Sequence, residues 1–287
     1  MKSPFNFRIQ YENGSIIDMY QKDWWVESFQ ILSSSSDYKT GKIEGRDGLI
    51  PYGSTRNTRK INIAIQIEGA NASHFDLIRD EVFSVFRSGE ELRIRRDLQQ
   101  GKELVCFVEN EIEIDYQTLE DGWFAVELIM FEPFIRSIGT TADIHRDGIN
   151  ANKSIWGFGM GLIAVDESLI YKHNAVAGKK FRIFNAGNAP VHHPFQQKLK
   201  ITISNVVGST EQFQITNATN LSKARINIPL SSSDVVIYDG PNVSRNGLEF
   251  LRNTRKDFIE LSQGWNTIEI YYCQSATIEF DFPFYYL

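Results

Sequence analysis

Four consecutive stretches decide the fold: GRDGLIPYGSTRNT (45–58), RKINIAIQIEG (59–69), ANASHFDLIRDEVFSVFRSGE (70–90) and ELRIRRD (91–97). The second places isoleucine at 61, 63, 65 and 67 with mainly polar residues between, the period of a strand with one buried face. The third changes period. Phe75, Ile78, Val82, Val85 and Phe86 fall three and four apart, so one apolar stripe runs along a helix over 71–88. Asn71 or Ser73 caps its start, and Gly89 is placed to end it in the left-handed conformation. The fourth stretch returns to a strand. One amphipathic helix among strands must cover a sheet face, so the class is mainly β with a single helix.

Working outward, Asn13-Gly14 is a two-residue hairpin signal between strands at 5–11 and 14–20. A strand follows at 24–32. Four serines (33–36) then open a polar, glycine-bearing loop to Thr58. A loop this long without structure of its own is uncommon and is usually functional, so 35–58 reads as an arm. Beyond the helix, strands are expected at 92–97, 103–108, 109–116 and 122–131, with Glu132-Pro133-Phe134 closing a first domain at about residue 137. Residues 137–180 form a connector. From 181 on, short strands alternate with turn signals such as Asn246-Gly247 and Gln263-Gly264, the spacing of an antiparallel sandwich or jelly roll.

Composition narrows the function. Among 287 residues there are 20 Phe, 11 Tyr and 5 Trp, a bias toward strands and protein contacts. Residues 1–137 carry 16 Lys+Arg against 23 Asp+Glu, a net −7, and residues 138–287 carry 14 against 13, a net +1. No basic face for nucleic acid is expected. Cys106 and Cys273 both sit in apolar runs and read as buried free thiols. No secretory leader is expected at the N-terminus. No run approaches the roughly 18 apolar residues that argue for a membrane span, so no membrane partner is expected.

Sites for chemistry are sparse. His74, His145, His173 and the pair His192-His193 lack ligand spacing for a metal. Trp156-Gly157-Phe158-Gly159-Met160-Gly161 lacks the Gly-Lys-Ser/Thr and following helix of a phosphate loop, and reads as a glycine-broken strand. No nucleophile motif occurs. The stretch 109–116 alternates strictly, which puts Glu109, Glu111, Glu113 and Asp115 on one strand face, about 6.5–7 Å apart. That spacing fits an inverting glycosidase pair, but four like charges on one face read more simply as an electrostatic surface. Arg59, Arg93 and Arg95, with Arg56, Lys60 and Arg96, form the basic counterpart. These are the candidate interface or channel residues; no catalytic, metal or cofactor residue is expected.

The order arm, alternating strand, lone helix, strand resembles the N-terminal domain of the siphovirus distal tail proteins, the Dit family. Phe181-Arg182-Ile183-Phe184-Asn185-Ala186-Gly187-Asn188-Ala189-Pro190 is similar to the opening of the family's galectin-like C-terminal domain. Phe213-Gln214-Ile215-Thr216-Asn217-Ala218-Thr219 and Gln263-Gly264-Trp265-Asn266-Thr267-Ile268 resemble its later strands. The resemblance implies an N-terminal β-sandwich or split-barrel-like domain (1–137) and a C-terminal antiparallel galectin-like β-sandwich (138–287). It implies a structural tail protein: a homo-hexameric hub ring joining the tail tube protein to the tail-associated lysin or tail-tip protein. Such a ring anchors receptor-binding proteins and passes DNA through its lumen without specific binding. The protein would be assembled in the bacterial host cytoplasm and reside in the virion. The alternative is a lectin-like protein for host-surface glycans. For that, this chain has His192-His193 but no Asn-Pro-Arg run, and Trp265 is followed by Asn266-Thr267 rather than by a glutamate; Trp265 therefore reads as a buried sandwich residue.

Overall fold

The longest ladder in the protein joins two ten-residue strands, Arg59–Glu68 and Asp121–Met130, in antiparallel register from Asp121↔Glu68 to Met130↔Arg59. Register sets side-chain parity. Ile61, Ile63, Ile65 and Ile67 therefore face inward beside Phe124, Val126, Leu128 and Met130, all at most 1% exposed. Each such side chain contributes about 1.5–3 kcal/mol of transfer free energy. The computed structural model describes every residue except Ala164, Asp166, Glu167 and His193. Two compact units are present, Met1–Ile135 with Leu287, and Arg136–Tyr286.

The first unit contains β1 (Phe7–Gln10), β2 (Ile16–Asp18), β3 (Trp25–Ile31), β4 (Ser36–Gly41), β5 (Ile50–Arg56) and β6 (Arg59–Glu68). Helix α1 (Ala72–Val85) follows, then β7 (Leu92–Arg96), β8 (Lys102–Val108), β9 (Ile114–Tyr116) and β10 (Asp121–Met130). Its main sheet runs in the order β2-β1-β7-β8-β10-β6-β3, with β9 on β10. Asn71 caps α1 by accepting a hydrogen bond from the His74 N–H at 2.9 Å. The helix ends at Val85 rather than at 88, because Phe86 turns into the core, where its ring centroid lies 6.5 Å from Trp24 and 5.9 Å from Phe124. Gly89 does take a left-handed conformation (φ +84°), but in the turn beyond the cap. Gly122 is required for packing: a Cβ there would sit 2.7 Å from the Phe75 ring.

Strand β11 (Ile135–Ser137) spans the boundary in sequence, and the second unit goes on with the single-turn helix α2 (Ile144–Asp147). It continues with β12 (Lys172–Val176), β13 (Phe181–Asn185), β14 (Lys200–Val207), β15 (Phe213–Asn217), β16 (Lys223–Ile226), β17 (Val236–Asp239), β18 (Asn242–Arg245), β19 (Leu248–Glu249), β20 (Gly264–Tyr271), β21 (Ser275–Asp281) and β22 (Tyr285–Tyr286). Six strands in the order β12-β21-β14-β17-β18-β19 and four in the order β13-β20-β15-β16 form its two antiparallel sheets. The protein is thus mainly β, as its patterning requires.

The glycine-rich segment departs from expectation. It is not a strand: Trp156 is fully buried, edge-on to Phe284 at 5.9 Å, while Phe158 is 89% exposed. Gly157 has no room for a side chain, since a Cβ would strike the carbonyl oxygen of Lys153. The run is a packed, irregular connector. Cys106 is buried as expected, whereas Cys273 is only half-buried.

Buried asparagines hold the loops of the second unit. Asn217 donates to Asn266 Oδ1 and to the Glu260 carbonyl, both at 2.8 Å, and Asn266 donates to the carbonyls of Ser262 and Gly264. Asn185 accepts from the Gly187 N–H and donates to the Ala189 carbonyl. The motif asparagines therefore satisfy backbone groups that irregular loops leave unpaired.

Two stability outcomes follow from this packing. Phe86→Ala should cost roughly 3–5 kcal/mol in chemical denaturation, the scale for a buried Phe; a negligible change would contradict its place between Trp24 and Phe124. In the second unit, Asp234 accepts from Arg245 Nε (2.8 Å) and Nη2 (2.6 Å), from Ser231 and from Asn246. These donors, Arg245 foremost, hold the carboxyl well below the ordinary carboxylate range. Its stabilisation is complete above the unfolded-chain pKa of about 4 and is lost as pH falls from there toward the folded value. Melting temperature should fall more steeply below about pH 4 in the wild type than in Asp234→Asn; equal slopes would remove Asp234 as the source.

Candidate assembly surfaces

The arm is not structureless. Strands β4 and β5 pair from Ser36↔Arg56 to Gly41↔Ile50, and the turn between them contains Gly45 and Gly48 at φ +80° and +82°. This hairpin pairs with no other strand among the described residues. No residue from 32 through 58 is buried. Tyr38 (69% exposed), Tyr52 (70%), Leu49 (62%) and Ile43 (50%) stand in the open. A two-stranded hairpin in water is marginally stable at best.

The acidic row is only partly a strand. Pairing breaks after β8, and the regular strand β9 covers just Ile114–Tyr116. Asn110 causes the break. Its side chain donates to the Ala125 carbonyl and accepts from the Glu127 N–H, taking up β10 backbone groups that a continuous strand would have paired. Residues 111 to 113 are thereby left out of the ladder. Exposure still alternates as the pattern requires: Glu109, Glu111, Glu113 and Asp115 are all exposed, and Ile114 is buried. Tyr116 departs from the pattern at 55% exposed, its ring 5.1 Å from Phe75. Glu109 pairs with Lys60 at 3.0 Å. Glu111, Glu113 and Asp115 form no ion pair among the described residues, an arrangement that suits an electrostatic surface better than a convergent acid–base pair.

The basic set does not stay together. Arg93 pairs with Glu91 at 2.8 Å. Arg95 reaches Glu103 at 3.2 Å and Gln10 at 2.7 Å. Both are occupied within their own chain. Arg59 is 6% exposed, a buried residue rather than a surface charge. Burial, then the charge of nearby Arg56, push its pKa down. Sequence reading placed Arg59 among surface cations, although its shared parity with Ile61 is visible in the sequence and points inward.

A second feature was legible only after register was known. Trp25 and Trp123 both pair with Gln66, so two tryptophans, each 37% exposed, flank one glutamine on the outer face of β3-β6-β10. The next outward row is Ser28, Ala64 and Ala125. Elsewhere in the first unit, an open groove of about 800 Å³ is lined by Tyr11, Glu12, Glu90, Glu91 and Phe107, among others.

The remaining candidates form no site. No group of three or more His, Cys, Asp or Glu is placed to hold a metal among the described residues. His192 lies 3.4 Å from Glu260, and His193 falls outside the described residues. Trp265 is half-buried rather than buried; the Arg182 guanidinium lies 4.6 Å from its ring centroid and Phe184 4.9 Å. No helix among the described residues is long and apolar enough to cross a membrane.

Residues 15–130 match the model of a phage tail protein family, the RIFT-related domain. The crystal structure of the Dit protein of phage SPP1, described as a paradigm of the hub adsorption apparatus of phages infecting Gram-positive bacteria, aligns over 97% of this chain and 99% of that one, at 11% identity and a TM-score of 0.65. The fold is that of a siphovirus distal tail protein. Two structures of the activated phage P2 baseplate, with calcium and with strontium, align over 97% of each chain at 9% identity, with TM-scores of 0.43 and 0.42. No curated protein matches the chain in sequence.

Deleting residues 38–56 should leave the first unit folded, because none of these residues is buried and no core side chain is lost. Circular dichroism should remain native. A lost β signal would show that the hairpin stabilises the body.

Proposed function

We propose that this protein is a distal tail protein whose N-terminal unit builds a ring, six copies by the family resemblance, at the end of a phage tail tube. The carrying observation is the arm, a paired hairpin with open aromatic residues and no buried side chain of its own. Such an element is stabilised by packing on another chain. The likeness to the SPP1 hub protein across 97% of the chain supports the same reading. In this role the ring joins the tube to the tail-tip or lysin protein, and the C-terminal sandwich, galectin-like by resemblance, carries host-recognition proteins. The protein acts by assembly rather than by catalysis and belongs in the virion.

Charge fits the role. Residues 1–137 carry a net −7, and DNA carries about one negative charge per 1.7 Å of axis, so an acidic channel lets it slide. The exposed carboxylates at 111, 113 and 115 face either that channel or the seam between copies. A ring by a heterologous interface needs two different, complementary patches on each subunit. The lectin reading would use the Trp265 ring, against which the Arg182 guanidinium already lies at 4.6 Å.

Light scattering and negative-stain microscopy on the purified full-length chain test this. A closed ring is expected, and the 38–56 deletion should reduce its size. A species that stays monomeric at the highest concentration would overturn the reading.

A further inference from the structure

Strand β6 carries one charged residue into the core. Its inward positions are Arg59, Ile61, Ile63, Ile65 and Ile67, and Arg59 is only 6% exposed. Its Nε and Nη1 have no hydrogen-bond partner among the described residues. Its register partner is Met130, and the neighbouring charge that acts on it, Arg56, has the same sign. A buried guanidinium with these two donors unmade bears a desolvation penalty that no hydrogen bond to them among the described residues offsets. Arg59 lies three residues beyond Arg56, where the arm returns to the body. The same unit displays Glu111 and Glu113 on the unpaired segment after Asn110, and Asp115 on β9, all exposed and without ion pairs among the described residues. One copy therefore holds both halves of a charge pair and joins neither.

We infer that, in the assembled ring, a carboxylate from residues 111–115 of a neighbouring copy enters at the arm root and accepts hydrogen bonds from the Arg59 guanidinium, with Arg56 at the mouth. The inference rests on the ring reading and names the two patches of its seam. A carboxylate matches the planar fork of arginine, and a desolvated pair of this kind acts mainly on the dissociation rate. The net −7 of residues 1–137 repels a free polyanion such as nucleic acid. A second copy instead brings its carboxylates in together with the apolar contacts of the arm.

The test uses the full chain, with Arg59→Met and the triple variant Glu111→Gln, Glu113→Gln, Asp115→Asn, reading melting temperature and ring dissociation. Arg59→Met removes an unpaired buried charge at similar volume, so at concentrations where the chain is monomeric it should melt no lower than the wild type. Ring dissociation should rise on the order of tenfold or more. The triple variant, whose changes are all exposed, should weaken the ring comparably, and combining the two should add little further loss. Arg59→Met melting lower with the ring intact would show that the guanidinium is satisfied within its own chain and would overturn the inference. Fully additive losses would also overturn it. A monomeric wild type overturns the ring reading and this inference together; a ring that ignores Arg59→Met overturns this inference alone.

Discussion

The first unit depends on the antiparallel register between Arg59–Glu68 and Asp121–Met130. A strand has only two faces, so one register assigns every side chain on both strands at once. It sends four isoleucines inward to meet Phe124, Val126, Leu128 and Met130. It turns Trp123 outward, and the pairing of β3 brings Trp25 to the other side of the same glutamine. It also forces Arg59 inward, because residue 59 has the parity of 61. Moving Arg59 outward by a one-residue slip would expose the whole isoleucine set, so the buried charge is retained by the hydrophobic terms around it.

The two units solve the satisfaction of polar groups differently. In the second, asparagines at 185, 217 and 266 bond directly to loop backbone, and Asp234 gathers donors from Arg245, Ser231 and Asn246. In the first, the least satisfied elements lie together in sequence: an arm with no buried residue, and Arg59 just beyond its end. Local order that conflicts with isolated stability is expected where a protein meets a partner. The second unit also keeps buried atoms without hydrogen-bond partners among the described residues, including Gln197 Nε2, Tyr238 Oη and Asp281 Oδ1, so what sets the first unit apart is the exposed arm beside Arg59.

Much of this was legible from residue order. The alternation at 59–69, the helical stripe from Phe75 to Phe86 and the Asn13-Gly14 turn each carry a local period or turn chemistry that needs no tertiary information, and all three elements form. The regular turn spacing after residue 181 announced an antiparallel sandwich or jelly roll, and two antiparallel sheets are present. Exposure of the acidic row at 109, 111, 113 and 115 also follows from alternation alone.

What tertiary structure decided are the matters that depend on partners distant in sequence. Residues 109–116 alternate like one strand, yet Asn110 takes over the backbone groups of Ala125 and Glu127 and breaks it, a contact that no local pattern encodes. The serine-rich loop pairs into a hairpin because Ser36 and Arg56 meet across about twenty residues of glycine-punctuated chain. The Trp156 segment looks like a strand but packs as irregular chain, because Phe284 meets its ring and the Lys153 carbonyl closes on Gly157. Among the arginines, composition offered one basic set; packing divided it, giving Arg93 and Arg95 partners across neighbouring positions and leaving Arg59 in the core. Periodicity is a property of consecutive residues and so determines which elements form and which face they bury. The pairing of a charge depends on which groups the finished fold brings within a few ångströms, and only the tertiary structure decides that.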